Sequence, residues 1–279
     1  MCRWLAYSGT PVLLDTILYK PAHSLIDQSL HSRLGVETTN GDGFGVGWYA
    51  RETGTDTPAV LRDVGPAWNN RNLREIAQHV MSPLVFAHIR ASTGTAVQQT
   101  NCHPFRHGRW MWMHNGSIVG FHQLRRELCV AVEPSLFLEM EGTTDSEVMF
   151  FLALTLGLEE DPPGAVARMV GLVERTGRAH GVADPVQMTV AVTDGRAVWA
   201  FRYASAGIAR SLFYSTRVES LRALHPDVSF LQEVSDDTRL VVSEPLSDLP
   251  GAWNEVPEHT YGVVRVGHDS LHTFAPLPA

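Results

Sequence analysis

Two consecutive helical stretches near mid-chain, with strand-like runs on both sides of them, constrain this 279-residue chain more than any other feature. The first, "TTDSEVMFFLALTLGLEE", has Thr144 or Asp145 to cap it, Glu147 in its first turn and an apolar face behind. The second, "GAVARMVGLVERTGRAH", is amphipathic at helical spacing. Ahead of them, "WLAYSG", "GFGVGWYA" (Gly43 to Ala50), "LVFAHIRAS" (Leu84 to Ser92) and "RWMWMHNGSI" read as strands. The last of these breaks at Asn115-Gly116, a dipeptide that favours tight turns. "PVLLDTILYK" and "NNRNLREIAQHV" have helical spacing, the latter with Asn70 or Asn72 as its cap. After the helices the chain turns to β character in "QMTVAVTDG", "RAVWAFRYA", "SLFYSTR", "RLVVSEPL" and "YGVVRVG", the first two joined as a hairpin at Asp194-Gly195. Strands, two helices and strands again predict an α+β domain with stacked sheets and helices outside.

Charge and cysteine usage narrow the function classes. A formal charge of −8 with no Lys/Arg run leaves no basic face for nucleic acid. No apolar run approaches the roughly 20 residues needed to cross a bilayer, and the N-terminus lacks the basic, apolar and small-residue series of a signal peptide. Three cysteines, Cys2, Cys102 and Cys129, are an odd number at unrelated spacings, which suits a reducing cytosol rather than a disulfide or zinc framework. A cytoplasmic protein without metal, cofactor, nucleic-acid or membrane partner is therefore expected.

Cys2 has only the initiator methionine before it. Removal of Met1 would leave a residue carrying both a thiol nucleophile and an α-amine base, although position 2 can also hold a cysteine by accident. Chemistry at such a residue needs oxyanion donors and substrate anchors. Asn115-Gly116 offers a side-chain amide and an uncrowded backbone N–H, or else a simple turn. Arg90 ends an apolar strand and needs an anionic partner, either a protein carboxylate or a substrate carboxylate held bidentately. Asp145 is a helix cap or a ligand for a substrate ammonium.

"MCRWLAYSG", "NGDGFGVGWY", "FAHIRAST", "NCHPF", "MHNGSI" and "GTTDSEV", in that order, resemble the class II glutamine amidotransferases. Within them the chain is most similar to a stand-alone group with members in glutathione degradation and in the ergothioneine pathway. "KPAHSLIDQS", "AWNNRNL" and "VVSEPL" add to the likeness. The resemblance implies a four-layer αββα sandwich of the N-terminal nucleophile hydrolase type. It also implies a single amidotransferase domain over residues 2–270, with 271–279 as a C-terminal tail. In the roles it implies, Cys2 is the nucleophile, its α-amine the base through a water, and Asn115 and Gly116 the oxyanion hole. Arg90 would hold the substrate α-carboxylate, Asp145 its α-ammonium, and Thr93 would line the same pocket. His88 and His103 are read as structural, and "GDGFG" (Gly41 to Gly45) as a loop beside the nucleophile whose glycines allow close approach. Glutamine or a γ-glutamyl compound is the implied substrate.

Two departures from the synthases of the family stand out: Ala91 follows Arg90 where an aromatic is frequent, and Gly94 replaces a frequent histidine. Both weaken the case for tight closure over glutamine with ammonia channelling. A separate ammonia-accepting or peptidase subunit, or plain hydrolysis of γ-glutamyl amides or peptides, remains in view. Three rival readings are weaker. "NGDGFGVG" lacks the following helix of a dinucleotide fingerprint, "NCHPFRH" lacks repeated metal-ligand spacing, and a non-catalytic or partner-dependent scaffold would have to be inactive with every site residue present.

Overall fold

The computed structural model describes residues 2–34, 38–50, 54–92 and 94–278. Two antiparallel sheets lie face to face. The seven-stranded sheet runs in the order β11-β9-β10-β1-β4-β2-β3, where β1 is Arg3–Leu13, β2 Phe44–Trp48, β3 Ala59–Asp63, β4 Met81–Ile89, β9 Phe213–Ser215, β10 Arg239–Val242 and β11 Trp253–Glu255. The six-stranded sheet runs β13-β12-β8-β7-β6-β5, with β5 Phe105–His107, β6 Trp110–Ile118, β7 Val186–Thr193, β8 Ala197–Ala204, β12 Thr260–Arg265 and β13 His268–Thr273.

Side-chain alternation along the strands sorts the core into three layers. Trp4, Ala6, Phe86, Met111, Met113, Ala191, Ala200 and Val241 fill the space between the sheets. Residues of opposite parity in the first sheet, among them Leu5, Tyr7, Val85, Ala87 and Val242, pack outward. They meet α1 (Leu14–Leu18), α2 (Leu25–His31), α3 (Arg71–His79), α8 (Val218–Leu224) and α9 (Ser229–Glu233). On the far side, Trp110, Trp112, Val190, Val192, Trp199 and Phe201 pack on α4 (Phe121–Val130), α6 (Asp145–Thr155) and α7 (Pro162–Ala179), with the single turn α5 (Pro134–Phe137) beside α6. The result is the four-layer αββα sandwich implied by the family likeness.

Local rules explain the clearest elements. Asn70 caps α3 by accepting from the Leu73 N–H at 2.8 Å, and Thr144, not Asp145, caps α6 by accepting from Glu147 N at 3.2 Å. Residues 146–154 of α6 are buried on every side, because the helix is packed between the sheet and its helical neighbours rather than facing solvent.

Several expectations are corrected. β6 does not break at Asn115-Gly116. Asn115 pairs with Thr189 and Gly116 with Met188, and the strand continues to Ile118 because β7 supplies partners along its whole length. The glycine serves close approach instead. Gly116 has φ +154°, and an added Cβ would lie 1.9 Å from the Gln187 carbonyl oxygen. "PVLLDTILYK" is helical only from Leu14, since Val12 and Leu13 still pair with β4. The last hundred residues are not all β, as α8 and α9 cross between β9 and β10. Residues 271–273, at the head of the expected tail, complete β13; Phe274 is buried, and Leu277 N donates to Ala167 O at 3.0 Å.

Candidate active site

Three strand ends of the first sheet meet at one edge of the inter-sheet space. Arg3 pairs with Ile89, and Ile89 pairs with Phe44, so the residues one step beyond these rungs converge. Cys2 Sγ donates to Ala91 O at 3.6 Å. Asp42 N donates to Arg90 O at 3.1 Å, and Arg90 N to Gly43 O at 2.8 Å. Cys2 and Arg90 share the parity of Trp4 and Phe86, which face the second sheet. "GDGFG" thus does lie beside Cys2. Its glycines let the segment around Cys102 and His103 press on β2: a Cβ on Gly43 would lie 2.6 Å from Cys102 Sγ, and one on Gly45 would lie 2.1 Å from His103 O.

Cys2 is half-buried. Burial pushes its thiol pKa up, and the bond to Ala91 O and the charges of Arg90 and Arg3 only partly counter this. The group therefore rests as a thiol and needs a base to become a nucleophile.

Arg90 is 3% exposed and has no carboxylate partner among the described residues. Its guanidinium donates to neutral oxygens: Asp42 O at 3.3 Å, Ser92 Oγ at 3.3 Å, Thr95 Oγ1 at 2.6 Å and Ala96 O at 3.2 Å. Of the two partners the sequence left open, no protein carboxylate meets it among the described residues; the Asp42 carboxylate accepts from Ser92 N at 2.7 Å. A buried cation satisfied in hydrogen bonds but not in charge is matched to an incoming anion. Thr93, expected to line this pocket, lies outside the described residues.

The second sheet contributes β6. Asn115 has the parity of Met111 and Met113 and so faces the first sheet. Its carbonyl accepts from Thr189 Oγ1 at 3.4 Å, and Thr189 Oγ1 also accepts from Trp4 Nε1 at 3.3 Å, which couples Asn115 to the strand that follows Cys2. Alternation of the ladder turns the amides of Gly116 and Ile118 to the edge that β5 stops covering at Trp112. There Ile118 N donates to Asp145 Oδ2 at 2.7 Å, while Asp145 Oδ1 accepts from Ser146 N at 2.8 Å. Asp145 has no cationic partner among the described residues, so its carboxylate is held in place but not neutralised. The Asp145 loop and the Arg90 loop are joined through Asn101, which donates to Ala96 O at 2.9 Å and accepts from Thr143 N at 2.8 Å.

His88 and His103 stack at 4.1 Å beneath the site. Burial holds the His88 pKa down to about 3 and that of His103 well below its ordinary range; both imidazoles are neutral structural rings. No group of three or more His, Cys, Asp or Glu side chains among the described residues is arranged to hold a metal ion. Among the described residues no helix is long and apolar enough to cross a membrane.

Sequence reasoning missed three contributors. Asp42 ties the loop after Arg90. Arg3 donates from Nη1 to Cys2 O at 3.0 Å and from Nε to Glu244 Oε2 at 2.6 Å, while His23 Nε2 meets Glu244 Oε1 at 2.5 Å. "PAHS" and "SEP" are thereby two halves of one buried clamp on the strand that follows Cys2. The third contributor, Arg210, sits in the loop between β8 and β9, where no local pattern marks it.

The family model for class II glutamine amidotransferases matches residues 16–277. The chain is 34% identical to the probable glutamine amidotransferase DUG3 of Saccharomyces cerevisiae, over 98% of this chain and 84% of that protein. It is 26% identical to the gamma-glutamyl-hercynylcysteine sulfoxide hydrolase of Mycolicibacterium smegmatis, over 96% and 97% of the two chains. A solved class-II domain protein from Silicibacter pomeroyi superposes with a TM-score of 0.74 at 33% identity, covering 99% of this chain and all of that one.

Proposed function

Because the chain belongs to the class II glutamine amidotransferases, we propose that it cleaves the amide bond of glutamine or of a γ-glutamyl compound through a thioester on Cys2. Removal of Met1 frees the Cys2 α-amine. That amine takes the thiol proton through a water as Sγ attacks the γ-carbonyl carbon. The oxyanion receives the Asn115 side-chain N–H and the Gly116 backbone N–H. The C–N bond then breaks, and the leaving nitrogen takes the proton back from the α-amine. Water attacks the thioester carbonyl by the same route and returns the thiol with release of glutamate. Arg90 holds the substrate α-carboxylate and Asp145 its α-ammonium; the Asn101 bridge between their loops keeps these opposite charges at a fixed separation.

The observation that carries this reading is the placement of Cys2 against the Arg90–Ala91 strand end, with Arg90 buried and free of any carboxylate among the described residues. The test is mass analysis of the protein after treatment with 6-diazo-5-oxo-norleucine, an electrophilic glutamine analogue. Loss of Met1 and one adduct on Cys2 are expected, and both the adduct and turnover should vanish in Cys2→Ala. An adduct elsewhere, or a retained Met1 with full activity, overturns the mechanism.

A further inference from the structure

Arg210 is a further arginine near Cys2, besides Arg3 and Arg90, and nothing in the chemistry above employs it. It has neither a hydrogen bond nor an ion pair to any described residue, and its Nε is buried without a partner. It lies near enough to Cys2 and Arg3 to feel their charges, and burial together with Arg3 holds its pKa down. An unpaired, partly desolvated guanidinium is costly unless something else meets it.

The placement is built rather than incidental. Gln187 Nε2 donates to Ile208 O at 3.1 Å, and the Gln187 carbonyl is the group that excludes a side chain at Gly116. Ala209 N donates to both Glu258 carboxylate oxygens at 3.1 Å, and Ala209 O accepts from Arg202 Nη2 at 3.5 Å. On the other flank, Ser211 Oγ donates to Ser243 O at 2.8 Å, while Trp4 N donates to Ser243 Oγ at 2.9 Å. The loop therefore spans from β7, which pairs with the Asn115 strand, to the end of β10, which pairs with β1, with Arg210 between its anchors. Glu258 and Glu255, the nearest carboxylates on the neighbouring segment, are engaged with Arg202.

The geometry points to Arg210 as the recognition residue for an anionic group on the leaving half of the substrate: a carboxylate on an amine that departs when the γ-glutamyl bond breaks. This rests on the γ-glutamyl reading above and refines it. The glutamyl half has one carboxylate, already assigned to Arg90. A second unpaired guanidinium across Cys2 implies a second anion, as in a γ-glutamyl amino acid or peptide, and ammonia released from glutamine carries none. Two arginines would thus bracket the scissile bond, one for each end of the substrate.

Binding to the Cys2→Ala full-length protein tests this without turnover. Calorimetric titration with γ-glutamylglycine and with γ-glutamylglycinamide isolates the terminal carboxylate. The acid should bind about 10–100-fold more tightly than the amide, the usual worth of a hydrogen-bonded charge. In Arg210→Met that preference should fall to about one, and Arg210→Lys, charged but without the fork, should fall between. Equal affinity for acid and amide in the Arg210 protein, or a preference that survives in Arg210→Met, overturns the inference. Failure of both ligands to bind, while the mature enzyme is labelled on Cys2, also overturns it and leaves the γ-glutamyl reading standing. Absence of Cys2 labelling defeats that reading instead.

Discussion

Asn115 is 4% exposed, and its side-chain amide has no hydrogen-bond partner among the described residues; its backbone is held in the ladder opposite Thr189, whose Oγ1 also donates to the Asn115 carbonyl. A side-chain donor with no protein partner in the resting site is available to an oxyanion as it forms, so its value falls in the transition state rather than in substrate binding. Asn115→Ala should lower kcat by roughly 10²–10³ with little change in KM, as steady-state γ-glutamyl hydrolysis would show. Arg90 predicts the opposite division. Its four neutral partners already fix the guanidinium, so Arg90→Lys loses the bidentate fork and should raise KM by at least about 10-fold despite the retained charge. An unchanged KM would make Arg90 a structural residue. Cys2, Arg90 and Asn115 were singled out in the sequence on separate grounds: Cys2 by its place behind the initiator methionine, Arg90 as a cation ending an apolar strand, and Asn115 as half of an Asn-Gly dipeptide. Arg210 was not. Its anchors come from Gln187, Ser243 and Glu258, and proximity of that kind leaves no local periodicity.

Cys2, the proposed nucleophile, directly precedes β1 and so lies at a strand end where fraying would be the ordinary outcome. The buried Glu244 side chain prevents this. It accepts from Arg3, His23, Ser32 Oγ and the Arg33 and Leu34 amides, so that one carboxylate joins β1, the end of β10 and the segment around α2. Burial pushes the Glu244 pKa up, but those donors and the Arg3 charge outweigh it and hold the group ionised below its usual range. Glu244→Ala should cost about 3–5 kcal/mol, the usual effect of breaking a buried ionic cluster, seen as a lower denaturant midpoint. Glu244→Gln keeps the shape and should retain more stability while still lowering kcat, because Arg3 then holds the Cys2 carbonyl less firmly. Equal kcat in Glu244→Gln and the parent would show that the clamp serves stability alone. At this scale α3, α6, α7 and the β7–β8 hairpin could be read from caps and periodicity. α8 and α9, at seven and five residues, are too short to display a helical period, and Asn115-Gly116 mimicked a turn because the same glycine satisfies close packing against Gln187.

Across the whole molecule, stacking two sheets leaves little water between them, and the chain places three imidazoles in or beside that space. His88 stacks on His103 and donates from Nε2 to His114 O at 3.3 Å; the His114 ring meets Ser146 Oγ at 2.7 Å and Gln187 O at 3.5 Å. Burial is the leading cause that lowers all three pKa values, His88 to about 3, with Arg90 adding to the effect at His88 and His103. The unfolded chain binds protons at these rings near the ordinary value of 6.5, where the folded protein does not. Stability is therefore full above about pH 6.5 and declines as pH falls below it; His88 adds about 1.4 kcal/mol per pH unit down toward 3, and His103 and His114 act in the same direction. Glu244, depressed, loses stability in the same direction at lower pH, whereas Glu147, raised by burial, runs the other way as a single group. Chemical denaturation between pH 7.5 and 5 should thus show a midpoint that falls steadily with acid. His88→Gln, which removes one such ring but keeps a side chain able to donate to His114 O, should reduce the slope by about one proton. A midpoint independent of pH across that range would mean that the imidazoles take up protons inside the folded sandwich. The space beneath Cys2 would then be wet and charged, and the thiol there would not need its own α-amine to lose its proton.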